Sequence, residues 1–523
     1  MRLLLLLILD GWPVSAGQWA VDRLHTYDLL SCDVDARPTG RGLEIDCTLR
    51  LVVGSPGPLR FLLSGAVVDL VVTQGDKQVP SKLGAFGLEG LLDFAGIPRE
   101  RIPMILEVEP DPPPAAGAEV TLRLRYRWHP PPGGWYRAGP GDVETHLSGF
   151  WLPTMADEIF ASRVRVHTDV AAFAPGTATR TDDGWLFESD AEQIVPLFVA
   201  DLARVNGNGC EVWLPAAEAF RGGEAITRDL AAVLRAFEAR FGPPGPAPFR
   251  LVVAPEANVP SYCGGSFAVV KARPAESLEP AERERWIAHL AHECAHRWFG
   301  YRLKTPVIGR GGTWLREGLA EWGGIEVAGE ILGAEARERL WRDRFARYVS
   351  GADLRTEDRV LFANETTLLD ATYVDDPRIP YCRGALVLRL LANGDAFAGG
   401  LRRMIEGGPG GIVDAKDVLS RTGGAEIAAY YAGTTRLPDL RLEEVRFEAR
   451  AVRARVLCDD PLWPGGRVPV RVETAAGAET ADVLLGRGGG ELSWKGASSP
   501  VRVEVDPERL YLDPIPSNNV AER

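Results

Sequence analysis

Lysine is scarce in this 523-residue chain: it supplies six of the 59 basic residues (Lys77, Lys82, Lys271, Lys304, Lys416 and Lys495). All the basic residues together are outnumbered by 72 acidic ones, for a formal net charge of −13. With no basic stripe, nucleic acid and anionic membrane surfaces are not expected partners. Cysteine is scarce too. Seven thiols in a chain this long exclude a disulfide scaffold, and no C-x-x-C spacing is present to suggest a thiolate zinc knuckle. The odd count leaves at least one thiol outside any intramolecular bridge, and Cys32 and Cys47 are placed to pair across a hairpin if the protein is exported. After the N-terminus no stretch approaches the ~20 uninterrupted apolar residues of a membrane span, so no membrane span is expected. The 46% hydrophobic and 25% charged content excludes a disordered or collagen-like chain. At ~150 residues per domain, the length predicts three or four domains.

The first residues, Met1-Arg2 followed by apolar Leu3 to Leu9 and then Val14-Ser15-Ala16, have the layout of a short secretory signal cleaved after Ala16. Export to the periplasm or medium is the expectation; a cytoplasmic protein with a buried N-terminal segment is the alternative. Residues 17–205 read as short β-type runs. Leu43 to Val53, Ala66 to Thr73, Glu119 to Trp128 and Ser162 to Thr168 alternate or are β-branched, and Gly/Pro clusters separate them. A β-sandwich or saddle-like sheet domain is predicted there. Residues 206–440 read as mostly helical with a small sheet: Ile226 to Phe241 has a helical period, Phe249 to Ala254 is a short strand, and Pro280 to Phe299 is a long helix. Glu317 to Ile325, Arg383 to Ala392 and Gly400 to Glu406 add further helical segments. Residues 441–523 return to strands (Arg446 to Val456, Val468 to Glu473, Val501 to Val505) and read as a small β-sandwich. The fold class is therefore multidomain α+β.

Three of the seven histidines, His289, His292 and His296, fall within eight residues, in His292-Glu293-Cys294-Ala295-His296. Fewer than about one in a hundred chains of this composition would contain H-E-x-x-H by chance. On a helix, residues i and i+4 lie one above the other, so both imidazoles can reach one zinc ion. Glu293 lies about 100° further round and can face the open side of the site, where a carboxylate can take a proton from the attacking water and pass it to a leaving amine. A catalytic zinc usually has a third protein ligand. Trp314-Leu315-Arg316-Glu317-Gly318-Leu319-Ala320-Glu321-Trp322 offers Glu317 as that ligand. Glu321, on the same helix face, can hydrogen-bond a ligating histidine. His289 reads as structural, Cys294 and Cys382 as buried small hydrophobes, and Trp286, Trp298, Trp314 and Trp322 as core.

Together these residues resemble the M1 family of gluzincin aminopeptidases: His292, Glu293 and His296, then Trp298-Phe299-Gly300, then Trp314-Leu315-Arg316-Glu317-Gly318. Pro380-Tyr381-Cys382-Arg383-Gly384 is similar to the family's Y-x-K-G motif, with arginine for lysine. Phe150 to Pro153 and Phe160 to Val164 look like the end of its N-terminal β domain, and Asp506 to Asn519 like the close of its small β domain. The resemblance implies a thermolysin-like catalytic domain, one Zn2+ ion, a peptide substrate, and Tyr381 as a hydrogen-bond donor to the tetrahedral oxyanion.

Two departures stand out. Twenty residues separate His296 from Glu317, two more than is usual in the family, and Gly309-Arg310-Gly311-Gly312 can absorb them as a loop. The family's G-x-M-E-N loop is replaced by Gly264-Gly265-Ser266-Phe267-Ala268. The glycines can still let an edge strand pair with substrate backbone, but the glutamate that anchors a free α-amino group is missing. Another acidic residue, Glu144 for example, can stand in for it and keep aminopeptidase action; otherwise two alternatives follow, a peptidase of another specificity or an inactive binding module. Oligomeric state is not legible.

Overall fold

The computed structural model describes residues 26–523, apart from 85–102, 131–135, 140, 146–149, 155–157, 208, 246, 258–260, 272–279, 307–310, 351, 356–358, 363–377, 393–394, 408–410, 423–425, 427–428, 432–437, 461, 487–488 and 514–515. The expected signal segment, residues 1–16, lies outside the described residues. The chain is multidomain, with a sheet-rich N-terminal region, a helical middle and C-terminal sheets. It divides into two compact units: Met1–Ile308 with Glu326–Gly333 and Ile405–Val413, and Gly309–Ile325 with Ala334–Met404 and Asp414–Arg523.

In the first unit an eight-stranded sheet has Tyr27–Thr39 and Gly42–Val53 at its centre. Gly42–Val53 pairs antiparallel with Glu119–Trp128, and Tyr27–Thr39 pairs parallel with Phe160–Val166. The strict alternation of Glu119–Trp128 is realised: Val120, Leu122, Leu124, Tyr126 and Trp128 are buried, and the residues between them are exposed. Cys32 and Cys47 sit on the two central strands as free, fully buried thiols with their Sγ atoms 3.6 Å apart.

A five-stranded mixed sheet follows, in the order Ala203–Gly207, Cys210–Leu214, Arg250–Val253, Phe267–Val270, Ser261–Cys263. Its last strand, Ser261–Cys263, pairs with Phe267–Val270 and forms an edge. Helix α1 (Ala216–Phe241) begins ten residues earlier than its period predicts and buries Leu230, Val233 and Phe237. Helix α2 (Pro280–Ala295) is clamped to it: Arg283 forms two hydrogen bonds to the Asp229 carboxylate at 2.8 and 3.1 Å, and the Trp286 indole N–H adds a third at 3.1 Å.

The expected helix to Phe299 stops at Ala295. The chain turns because its aromatic residues are fixed elsewhere. Trp298 stacks on Phe237 with ring centroids 5.0 Å apart and donates its indole N–H to the Gly242 carbonyl at 2.9 Å, and Phe299 packs edge-on to Phe241. Buried Lys304 then ties the following loop to the Ala191 carbonyl at 2.8 Å.

Helix α3 (Gly312–Leu332) is longer at both ends than the predicted Glu317 to Ile325, and it contributes residues to both units. The second unit continues with α4 (Ala334–Val349), a short π-helix (Ile379–Arg383), α5 (Gly384–Leu391), α6 (Asp395–Glu406, whose last two residues fall in the first unit) and α7 (Ala415–Thr422). It ends in a three-stranded and a four-stranded sheet. The predicted strand Arg446 to Val456 is a hairpin instead: Leu440–Phe447 and Ala451–Cys458 pair antiparallel, and the Glu448 N–H closes the turn on the Ala451 carbonyl at 2.8 Å. Glu448-Ala449-Arg450 contains no glycine or proline, so the turn left no mark in the pattern. Among the described residues no helix is long and apolar enough to cross a membrane.

Candidate metal centre

His292 lies in the last turn of α2, and His296 follows the final helical residue, Ala295. The i, i+4 spacing survives the helix end: the two rings are 4.9 Å apart and nearly perpendicular, at 89°. The His296 Nδ1 lies 3.3 Å from the Phe299 carbonyl, a contact that with Nδ1 as donor directs Nε2 to a ligand. Glu317, one turn into α3, completes the group. One ligand atom from each of His292, His296 and Glu317 lies within 4.8 Å of the others, and all three side chains are buried. Two imidazoles and a carboxylate are a zinc-type donor set. The fit is supported next door, where Glu293 is only 4% exposed. Its Oε1 accepts a hydrogen bond from Ser261 Oγ at 2.6 Å, and its Oε2 is buried with no hydrogen-bond partner among the described residues.

Ser261 carried no signal in the sequence, because only strand pairing brings it to α2. Strand alternation turns Tyr262 into the aromatic cluster with Phe267 and Trp213, which leaves Ser261 and Cys263 on the other side. Burial, and then the Glu293 carboxylate, push the Cys263 thiol up; burial and the Cys263 thiol do the same to Cys294. Both stay neutral at physiological pH, which agrees with reading Cys294 as a small hydrophobe.

Gly264 and Gly265 are found in the turn after the edge strand, not in the strand. A Cβ on Gly264 would stand 2.2 Å from the Phe267 ring, and Gly265 (φ +74°) lies under the Tyr301 ring. The Tyr301 hydroxyl donates to the Cys263 carbonyl at 2.7 Å. The edge strand itself is Ser261–Cys263. Phe267 and Ala268, at the position of the missing glutamate, are fully buried in the sheet. Glu144 is also buried, and its charge contributes, after burial, to raising the Tyr262 phenol well above its usual range.

Tyr381 is half-buried in the π-helix Ile379–Arg383. Arg383 beside it is fully buried and donates from Nη2 to the Tyr431 carbonyl at 2.7 Å. Glu321 forms an ion pair with Arg344, which also hydrogen-bonds the Cys382 thiol, so α3 and the π-helix share one cation on α4. His289 is half-buried. Trp286, Trp298, Trp314 and Trp322 are buried, as expected of core residues.

The glycines that close the two motifs touch each other. A Cβ on Gly318 would meet the Gly384 carbonyl carbon at 3.1 Å, and one on Gly384 would meet the Gly318 Cα at 3.5 Å. The turn carrying Glu317 thus packs backbone to backbone on the segment after Tyr381. Gly318→Val is expected to cost about 1–3 kcal/mol through overpacking, read as a lower urea midpoint. An unchanged midpoint would show that the contact is not tight.

The fold is that of an M1-like metallopeptidase, and the buried triad is a group able to hold a metal ion. Among solved structures, the chain is similar to the crystal structure of a two-domain M1 zinc metallopeptidase, a glutamate-to-alanine mutant bound to L-arginine. The TM-score is 0.57 at 20% sequence identity, covering 77% of this chain and 92% of that one. No protein-family model matches the sequence, and no curated protein matches it.

Proposed function

We propose that the chain is a zinc-dependent metallopeptidase, M1 aminopeptidase-like, that hydrolyses peptide bonds. The observation that carries this reading is the convergence of His292, His296 and Glu317 beside a buried glutamate with one unpartnered oxygen. Zinc held by those three residues would supply Lewis acidity toward the scissile carbonyl and lower the pKa of water. Glu293 is the general base: Oε2 takes the proton of the attacking water and returns it to the leaving amine. Tyr381 donates its phenolic hydrogen to the oxyanion, a role suited to a neutral donor at pH 7. The peptide lies along the edge strand Ser261–Cys263, adding itself as a further strand.

Specificity has a second reading, favoured by one observation. The hairpin 261–270 contains no acidic residue to bind an ammonium. Zinc-loaded protein given matched free-amine and N-acetylated peptides is expected to cleave the two within about threefold of one another, since losing a charged partner removes the basis for discriminating between them. A free-amine preference above about 100-fold would restore strict aminopeptidase action and point to Glu144 as the anchor. Inertness of the zinc-loaded protein toward a broad peptide library would make it a binding module.

A further inference from the structure

Resting on the metallopeptidase reading, we propose that Ser261 is a positioning residue that holds the general base Glu293 in its working orientation. The 2.6 Å hydrogen bond from Ser261 Oγ to Glu293 Oε1 joins the edge strand of the mixed sheet to the metal-binding helix. It occupies one carboxylate oxygen and leaves the other, Oε2, buried and without a protein partner among the described residues. A glutamate side chain has three rotatable bonds and adopts a single orientation only when something holds it. Here the only side-chain hydrogen bond to it among the described contacts comes from Ser261. The donor is itself well placed, because the strand bearing it is tied down on both sides: Tyr262 is buried in the aromatic cluster, and the Cys263 carbonyl accepts the Tyr301 hydroxyl from the segment just beyond His296. Ser261 also stands on the strand along which the peptide is proposed to bind, so the hydroxyl couples the substrate-pairing edge to the base.

Because a short hydroxyl-to-carboxylate bond is charge-assisted, its loss is expected to lower kcat about 10- to 30-fold while KM changes less than about twofold. The test compares wild type, Ser261→Ala and Ser261→Thr, each loaded with zinc and checked for one equivalent of metal. Two readouts are taken. One is steady-state peptide hydrolysis. The other is calorimetric affinity for a small peptidyl hydroxamate, an acid that chelates zinc and gives its proton to an adjacent carboxylate. Ser261→Ala is expected to lose kcat and to bind the hydroxamate about tenfold more weakly, with Ser261→Thr restoring both to within about threefold because it keeps the hydroxyl. If wild type binds hydroxamate, Ser261→Ala weakens that binding, and no peptide is turned over, the Ser261 assignment stands and the peptidase reading falls. If wild type turns over peptide and Ser261→Ala matches it in kcat and hydroxamate affinity, the assignment falls and the peptidase reading stands. It also falls if Ser261→Thr fails to rescue, or if the Ser261→Ala loss follows loss of zinc or of thermal stability. Wild-type protein inert in both readouts would overturn both.

Discussion

Glu293→Gln is expected to retain one zinc ion per chain and to lose peptide turnover by about 10³- to 10⁴-fold, the range a general base contributes. The substitution changes little else. Glutamine has the same length, its amide oxygen can still accept the Ser261 hydroxyl, and the proposed ligands His292, His296 and Glu317 are untouched. What it removes is basicity: an amide cannot carry the proton between the water and the leaving amine. Metal analysis and turnover on the same preparation separate the two effects. Wild-type turnover would remove Glu293 from the chemistry and end the metallopeptidase reading.

His296→Ala is expected to abolish metal binding, with zinc after dialysis falling from one equivalent to below about a tenth. The imidazole is one of only two nitrogen donors in the group, and its Nδ1 contact to the Phe299 carbonyl orients the ring before any metal arrives. Removing it leaves His292 and Glu317, too few donors for a stable site, so activity falls with the metal and added zinc at micromolar concentration does not restore it. Full zinc occupancy in His296→Ala would mean that other residues hold the ion. Glu317→Ala, measured in parallel, reports whether α3 supplies the third ligand.

Much of the site was legible because its parts are local. H-E-x-x-H needs only the helical repeat to place His292 above His296, and W-L-x-E-G needs only another helix to present Glu317. The edge-strand hairpin was less legible. The glycine pair Gly264-Gly265 read as part of an edge strand but forms the turn after it, because the edge is set by the pairing of Ser261–Cys263 with Phe267–Val270, a tertiary register. The N-terminal strands were readable because period-two alternation is written into each strand, as in Glu119–Trp128. The hairpin turn at residues 448–450 was not, since its residues carry no turn chemistry and the two strands alternate through it.

The sequence by itself determined the i, i+4 spacing of His292 and His296, the helix that carries Glu317 and the alternation that builds the sheets, because each follows from a backbone repeat of 3.6 or 2 residues. Only the tertiary structure decided where α2 ends, which strand stands at the sheet edge, that Glu321 pairs with Arg344, and that a serine 32 residues before Glu293 holds its carboxylate. Those contacts join segments far apart in the chain, and no periodicity encodes a partner that is brought near only when separate elements pack together.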